Sequence, residues 1–240
     1  MQERIQKIIR DALGMSRRAA EDVIIQGVVT VNGVSAKIGD KADRDIDKIV
    51  VRGQLLSIPD VNILKVYYVL HKPVGYTSTR EDRFARRVVG DLIPQGNNLF
   101  IAGRLDKNSE GLMVLTNDGD LVNTITHPSF QMEKKYYVSV DRYLSTSEMR
   151  KMEEGIKLDG ELYKVKSIKN IRSKRYEYEV VLTEGKKREI RILFDVFNIP
   201  VLRLVRLAIG PIELGNLPSG KFRKLTNEEV YSLVHYEKQE

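Results

Sequence analysis

The strongest constraint in the chain is the run Leu112-Met113-Val114-Leu115-Thr116. It is preceded by Gly103-Arg104-Leu105-Asp106-Lys107-Asn108-Ser109-Glu110-Gly111 and followed by Asn117-Asp118-Gly119-Asp120. A short apolar run between polar, glycine-bearing segments reads as a buried strand. Asp106 then lies in the loop that feeds the strand, at the rim of a core element. Asn117-Asp118-Gly119 predicts a tight turn, after which Asp118 or Asp120 caps a helix carrying Leu121, Val122 and Ile125. The loop is thereby held between rigid neighbours, as a functional constellation requires. Taken alone, Arg104 and Asp106 read most simply as a surface ion pair, an interaction worth about 0.2–1 kcal/mol.

A chain of 240 residues exceeds the usual size of one domain, so a small domain followed by a larger one is expected, over residues 1–60 and 61–240. A hydrophobic fraction of 42% suffices for a core. The sequence holds no Cys, which excludes disulfides and thiolate metal sites and gives no sign of an oxidising compartment. His71, His127 and His235 lack metal-ligand spacing, and there is no dinucleotide or Walker phosphate loop; no metal and no cofactor are expected. No apolar run reaches the length of a membrane span, and the charged N-terminus from Gln2 lacks the apolar stretch of a secretory signal. The expectation is a cytoplasmic monomer with no membrane attachment. Lys and Arg number 40 against 33 Asp and Glu, a net charge of +7 that favours a polyanionic partner. Residues 1–60 hold 10 Lys and Arg against 9 Asp and Glu, so RNA affinity there must come from a local patch.

Taken in order, Ile5, Ile8, Ile9, Ala12 and Leu13 share a helical face capped by Gly14. Ser16 caps a second helix that turns Ala20, Val23 and Ile24 inward and ends at Gly27. Val28 to Val31 meets Val34 across the hairpin signal Asn32-Gly33, and Ile49-Val50-Val51 extends that sheet. Arg17 and Arg18 occupy the first turn of the second helix, where the macrodipole favours acidic side chains. They read either as a phosphate-binding corner or as two solvated arginines. Ser57-Ile58-Pro59-Asp60 reads as a linker.

Val66 to Leu70 is predicted as a strand and His71-Lys72-Pro73-Val74-Gly75 as a turn. Residues 77–90 carry Arg80, Arg83, Arg86 and Arg87, a solvated loop by default and an RNA-contacting loop as the alternative. Lys134 to Val140 alternates as a strand, in which Tyr136 taken alone reads as core packing. Tyr176, Tyr178, Val180 and Leu182 share one face of a further strand ended by Glu184-Gly185. From Lys187 a helix is expected to bury Ile190, Leu193, Phe194 and Phe197, leaving Lys187, Arg188 and Arg191 exposed near its start. Cations crowd this helix start as they do at Arg17, and local rules fail preferentially at functional sites. Val201 to Leu207 reads as a strand, and Thr226 with Glu229 as the capping box of a last helix. The expected class is α+β: a small helix-helix-sheet unit, then a larger mixed, mainly antiparallel sheet with flanking helices.

Gly-Arg-Leu-Asp-x-x-Ser-Glu-Gly-Leu-x-x-Leu-Thr-Asn-Asp-Gly, from Gly103 to Gly119, resembles the signature of the pseudouridine synthases that modify ribosomal RNA. Lys72-Pro73-x-Gly75, Lys134-x-Tyr136-x-Val138 and Glu184-Gly-Lys-Lys-Arg-Glu-Ile-Arg191 are similar to further motifs of that family, in family order. Ser16 to Ala20 and Val31-Asn32-Gly33 resemble the small RNA-binding domain named after ribosomal protein S-four. The resemblance implies a catalytic Asp106, a Tyr136 that packs on the target base and an Arg191 that pairs with Asp106. It also implies an Arg104 that enters the gap left by a flipped-out nucleotide. Phosphate contacts fall to Arg17, Arg18, Lys186, Lys187 and Arg188, and ribosomal RNA is the implied partner. Ile192 stands where the usual family form has a second arginine. One carboxylate suffices to break and remake the base-sugar bond, as nucleophile or as base, with no cofactor. The rival readings are a noncatalytic RNA-binding assembly factor and a hydrolase of nucleosides or glycosides. Motif order does not specify which uridine, or which ribosomal subunit, is the target.

Overall fold

Along 134–140, Lys134, Tyr136, Val138 and Val140 are buried while the residues between them are half-buried, so this strand is covered on both faces and belongs inside a sheet. The computed structural model describes residues 2–57, 64–93, 99–171 and 176–236. The chain divides into two compact units, Met1–Leu64 and Lys65–Glu240. Ile58, Pro59 and Asp60 of the expected linker lie outside the described residues.

The first unit contains β1 (Gln2–Arg4), α1 (Ile5–Leu13), α2 (Arg17–Ile25), β2 (Val29–Val31), β3 (Val34–Ser35), β4 (Lys41–Asp43), β5 (Ile49–Val51) and β6 (Gln54–Leu55). Ile5, Ile8 and Ile9 of α1 pack with Val23 and Ile24 of α2 and with Val29 and Ile49 of the sheet β3-β2-β5-β6. Full burial of each such aliphatic side chain contributes about 1.5–3 kcal/mol. Local signals set the boundaries: α1 ends on a left-handed Gly14, and Ser16 Oγ accepts from Ala19 N–H at 3.1 Å to start α2. Asn32 and Gly33 both take positive φ, which gives the β2–β3 turn the twist a two-residue hairpin needs.

The second unit contains β7 (Tyr67–Lys72), β8 (Phe100–Ala102), β9 (Glu110–Thr116), α3 (Gly119–Thr126), β10 (Lys134–Val140), α4 (Thr146–Glu154), β11 (Ile156–Leu158), β12 (Glu161–Tyr163), β13 (Ser167–Asn170), β14 (Glu177–Leu182), α5 (Glu189–Asp195), β15 (Val201–Ile209), β16 (Ile212–Glu213), β17 (Phe222–Lys224) and α6 (Asn227–Val234). The main sheet runs β13-β14-β10-β15-β9-β7-β17, with β16 on β15 and β8 on β9. Its described pairings are antiparallel except β15 with β9. Leu70, Met113, Tyr136, Val138, Tyr178 and Leu204 face one core with Leu193 and Phe194 of α5. Val69, Leu112, Val114 and Val205 face the other with Leu121 and Ile125 of α3 and Leu233 of α6. Among the described residues no helix is long and apolar enough to cross a membrane.

Several boundaries differ from the sequence expectation. β7 runs through His71 and Lys72, so the turn begins at Pro73; Lys72 is 0% exposed and finds acceptors that keep it in the strand. α5 starts at Glu189, because Arg188 takes a left-handed φ of 58° instead of the first helical position. Tyr176, at φ 48°, falls outside β14. α4 and the β11–β12 hairpin were not anticipated, although Ser145 with Glu148 forms a capping box and Asp159-Gly160 supplies the turn.

The β9–β15 junction depends on Gly111, which has φ 117° and sits opposite Arg206; a Cβ there would lie 2.4 Å from both Arg206 N and Arg206 O. Gly111→Ala is expected to lower stability in urea unfolding by more than about 3 kcal/mol, since backbone strain and a backbone collision coincide. Wild-type stability in that variant would show that the strands separate without cost.

Candidate active site

A buried ammonium must find acceptors. Lys72, at the end of β7, donates to the carbonyls of Ser109 at 2.6 Å, Asp106 at 3.0 Å and Lys107 at 3.4 Å. The loop between β8 and β9 therefore curls around this charge. Ser78 Oγ donates to Leu105 O at 2.6 Å and accepts from Leu105 N–H at 3.1 Å, and Gly75 N–H donates to Lys107 O at 2.8 Å. Arg206, only 1% exposed, donates from Nε to Leu112 O at 2.7 Å and from Nη1 to Arg104 O at 3.5 Å. Arg191 donates from Nη2 to Asn108 O and from Nη1 to Val201 O, both at 2.9 Å. Every carbonyl from Arg104 to Ser109 thus has a donor. The backbone that carries Asp106 is fixed from all sides.

The donors are spent on the backbone, and the Asp106 carboxylate is left open. Among the described residues it has neither a hydrogen bond nor an ion pair within 4.0 Å. This corrects the expected direct pair with Arg191: that guanidinium is engaged by two carbonyls and acts on Asp106 through space. Arg191 is also half-buried, not exposed as its helix position suggested; burial and the neighbouring Arg188 lower its pKa, and Asp106 raises it. Burial pulls Lys72 down to about 8, with Asp106 opposing the shift. Two cations therefore place positive potential at the carboxylate without covering it.

Asp106 lines a cleft of about 810 Å³ in the second unit. Tyr136 from β10 and Leu204 from β15 form part of its wall, with Ile101, Leu105 and Ile190 adding apolar surface. Arg104, Lys186, Lys187 and Arg188 also line it. Arg104, Lys187 and Arg188 are exposed, whereas Lys186 is half-buried, donates to Leu162 O and lies 3.5 Å from Glu184. Arg17 and Arg18 are exposed at the start of α2 in the other unit, Arg17 paired with Glu21 at 3.2 Å.

Five cleft or loop residues escaped the sequence reading of the site: Lys72, Ser78, Lys134, Glu189 and Arg206. Lys134 is 7% exposed, donates to Met132 O at 2.9 Å and is pulled down to about 8 by burial and by Arg206. Glu189 is 2% exposed, accepts from Lys186 N–H at 3.0 Å and has its pKa raised by burial. The signal available for Lys134 and Arg206 was a cation at an inward position of an alternating strand. The three histidines have structural partners: His71 Nδ1 with Leu217 O, His127 Nδ1 with Ser129 Oγ, and His235 Nδ1 with Tyr231 O. Among the described residues no group of three or more His, Cys, Asp or Glu is placed to hold a metal.

Lys72→Met leaves the Ser109 carbonyl without its donor and weakens the hold on Asp106 and Lys107. A buried unpaired acceptor costs about 1–3 kcal/mol. Amide hydrogen exchange across 105–109 is expected to accelerate at least tenfold, by about 1.4 kcal/mol of lost protection, with the far-ultraviolet spectrum retained. Unchanged exchange would contradict the clamp.

Residues 66–195 match the RNA pseudouridylate synthase family. An uncharacterized RNA pseudouridine synthase of Aquifex aeolicus is 37% identical over 97% of this chain and 94% of its own length. The dual-specificity RNA pseudouridine synthase RluF of Escherichia coli K12 is 36% identical over 96% of this chain and 78% of its own. A crystal structure of a pseudouridylate synthase superposes with a TM-score of 0.69 at 28% identity, covering 96% of this chain and 99% of the other. With motif order, cleft and relatives in accord, the chain belongs to the RNA pseudouridylate synthase family.

Proposed function

We propose that this RNA pseudouridine synthase acts on a uridine of ribosomal RNA and uses Asp106 as its catalytic carboxylate. The observation that carries the reading is a carboxylate with an immobilised backbone and, among the described residues, no hydrogen bond or ion pair, at the wall of a cleft that also holds Tyr136. Isomerisation breaks the bond between N1 of uracil and C1′ of the ribose and makes a bond from C5 to C1′. Asp106 assists departure of the base as nucleophile at C1′ or as base in an elimination route; in either, the electron pair of the broken bond leaves with the uracil. The base turns and C5 bonds to C1′ as the bond from C1′ to the carboxylate breaks or, in the elimination route, as the abstracted sugar proton returns; the hydrogen on C5 leaves as a proton and N1 takes one up, so neither water nor an oxidant is consumed.

The freed uracil has to be retained while it turns. Tyr136 supplies a stacking floor, and Leu204 and Ile190 an apolar enclosure. A uridine within folded RNA reaches this cleft only when flipped out, at a cost of about a few kcal/mol, and Arg104 fills the gap it leaves. Lys186, Lys187 and Arg188 hold phosphates. Arg191 positions the catalytic loop through Asn108 and adds positive potential. Residues 61–240 form the catalytic domain. Residues 1–60 form an RNA-binding domain of the S-four type, in which Arg17 and Arg18 present the phosphate corner. The protein acts as a cytoplasmic monomer in this reading. A noncatalytic RNA binder is not supported, because the matched family and the relatives that align over nearly all of this chain are synthases.

The test is chromatography of nucleosides after incubation with ribosomal RNA. Pseudouridine without free uracil is expected; released base would identify a hydrolase and unchanged RNA a binder. Arg17→Ala combined with Arg18→Ala is expected to weaken RNA binding and to lower the slope of log affinity against log salt by about 1–2, which an unchanged slope would refute. Affinity should also decline as pH rises through about 8, where Lys72 and Lys134 pass from charged to neutral. Lys134→Arg, which keeps its charge, should flatten that decline.

A further inference from the structure

Phe84 is 100% exposed on the segment between β7 and β8. A ring left wholly in water adds nothing to the fold that carries it, yet its support is built with care. At the tip, Phe84 N–H donates to Asp82 Oδ1 at 2.9 Å and Ala85 N–H to Asp82 O at 3.3 Å. Below the tip, Thr77 N–H donates to Arg87 O at 3.0 Å, Val89 N–H to Thr77 O at 3.0 Å and Gly90 N–H to Thr79 O at 3.1 Å. Val88 and Val89 are buried beneath them. Gly90 permits this closure, since a Cβ there would lie 2.0 Å from Arg80 O. The backbone that carries the ring is preorganised, which lowers the ordering cost of any contact the ring makes.

Arg80, Arg83, Arg86 and Arg87 lie within four residues of Phe84 on the same segment, all exposed and none in an ion pair among the described residues. Arg87 lies 5.9 Å from the centre of the Tyr76 ring. The foot of the loop belongs to the cleft: Thr77 and Ser78 line it, and Ser78 is bonded to Leu105, the residue before Asp106. An aromatic face among unpaired arginines matches an unpaired base between phosphates. An acidic protein surface would satisfy the arginines and leave the ring without a flat partner.

We propose that residues 79–87 form a base-stacking RNA contact beside the cleft. Phe84 takes the face of one unpaired base, and the four arginines hold the phosphates flanking it. The proposal rests on RNA being the substrate and adds a contact that selects the local structure around the target uridine.

The test uses the full chain and a ribosomal RNA fragment that it binds. Phe84→Leu keeps apolar bulk without the π-face, and Phe84→Trp keeps the face. Dissociation constants are expected to rise about 5- to 150-fold for Phe84→Leu and to stay near wild type for Phe84→Trp. Replacing unpaired bases one at a time by abasic sites should find one position whose loss costs wild type the same factor and costs Phe84→Leu nothing further. Arg83→Ala with Arg86→Ala should lower the salt slope by about 1.4. Equal affinities for wild type and Phe84→Leu, or additive effects at every abasic position, would overturn the proposal. A change in sedimentation mass of Phe84→Leu without RNA would overturn it in favour of a protein contact. Pseudouridine yield by wild type on the same fragment is a separate readout: its absence defeats the functional reading, whereas its presence with an inert Phe84→Leu defeats only the loop contact.

Discussion

Six consecutive carbonyls, Arg104 to Ser109, each receive a hydrogen bond from outside the strand that follows them, and the place of Asp106 depends on that clamp. A loop left to itself would turn these groups to water. Here Lys72 and Arg206 are buried in the sheet, and because a buried cation is costly without acceptors, they hold the loop as firmly as it holds them. Gly111 sets the distance between β9 and β15 at which Arg206 can reach back over Leu112 and Arg104. The consequence is a division of labour. Cations bind the backbone, their field reaches the side chain, and the carboxylate itself stays free for a substrate.

Local elements were legible in the sequence because local chemistry decides them. Gly14, Ser16, Asn32-Gly33, Asp118 and Thr226 with Glu229 each mark an end or a turn through their own hydrogen bonds or backbone angles. Asp106, Tyr136 and Arg104 were found through motif and order, and the structure gathers them at one cleft. Lys72 reads as a turn residue because its acceptors other than Pro73 O lie more than thirty positions away, in a loop that reaches it only once β7 has paired with β9. Arg206 was hidden for the same reason: the parallel pairing that buries it is nonlocal. The direct Arg191–Asp106 pair failed because the carbonyls of Asn108 and Val201 compete for the same guanidinium. α4 was missed although Ser145 and Glu148 announce it; the helix buries only Met152 and so carries a weak apolar stripe.

Charge is distributed in keeping with this picture. The cleft wall is apolar around Tyr136, Leu204 and Ile190, while the cations gather at Arg104, Lys187 and Arg188 and on the loop of Arg80 to Arg87. Exposed arginines attract a polyanion from any direction and carry little sequence information. In the proposed function, discrimination falls to groups that hold one nucleotide in one geometry, for which the cleft and the ring of Phe84 are the candidates.

The proposed isomerisation depends on the Asp106 carboxylate and its reach to the base-sugar bond. Isomerisation expels the hydrogen on C5, so RNA carrying tritium at C5 of uridine releases it to water once per turnover. Asp106→Asn keeps the shape and the clamp, whose bonds involve the backbone, and removes the charge. The prediction is tritium release by wild type and release at least 1,000-fold slower by Asp106→Asn, about 4 kcal/mol of lost transition-state stabilisation, with RNA affinity retained. Release by the variant at the wild-type rate would contradict the central claim.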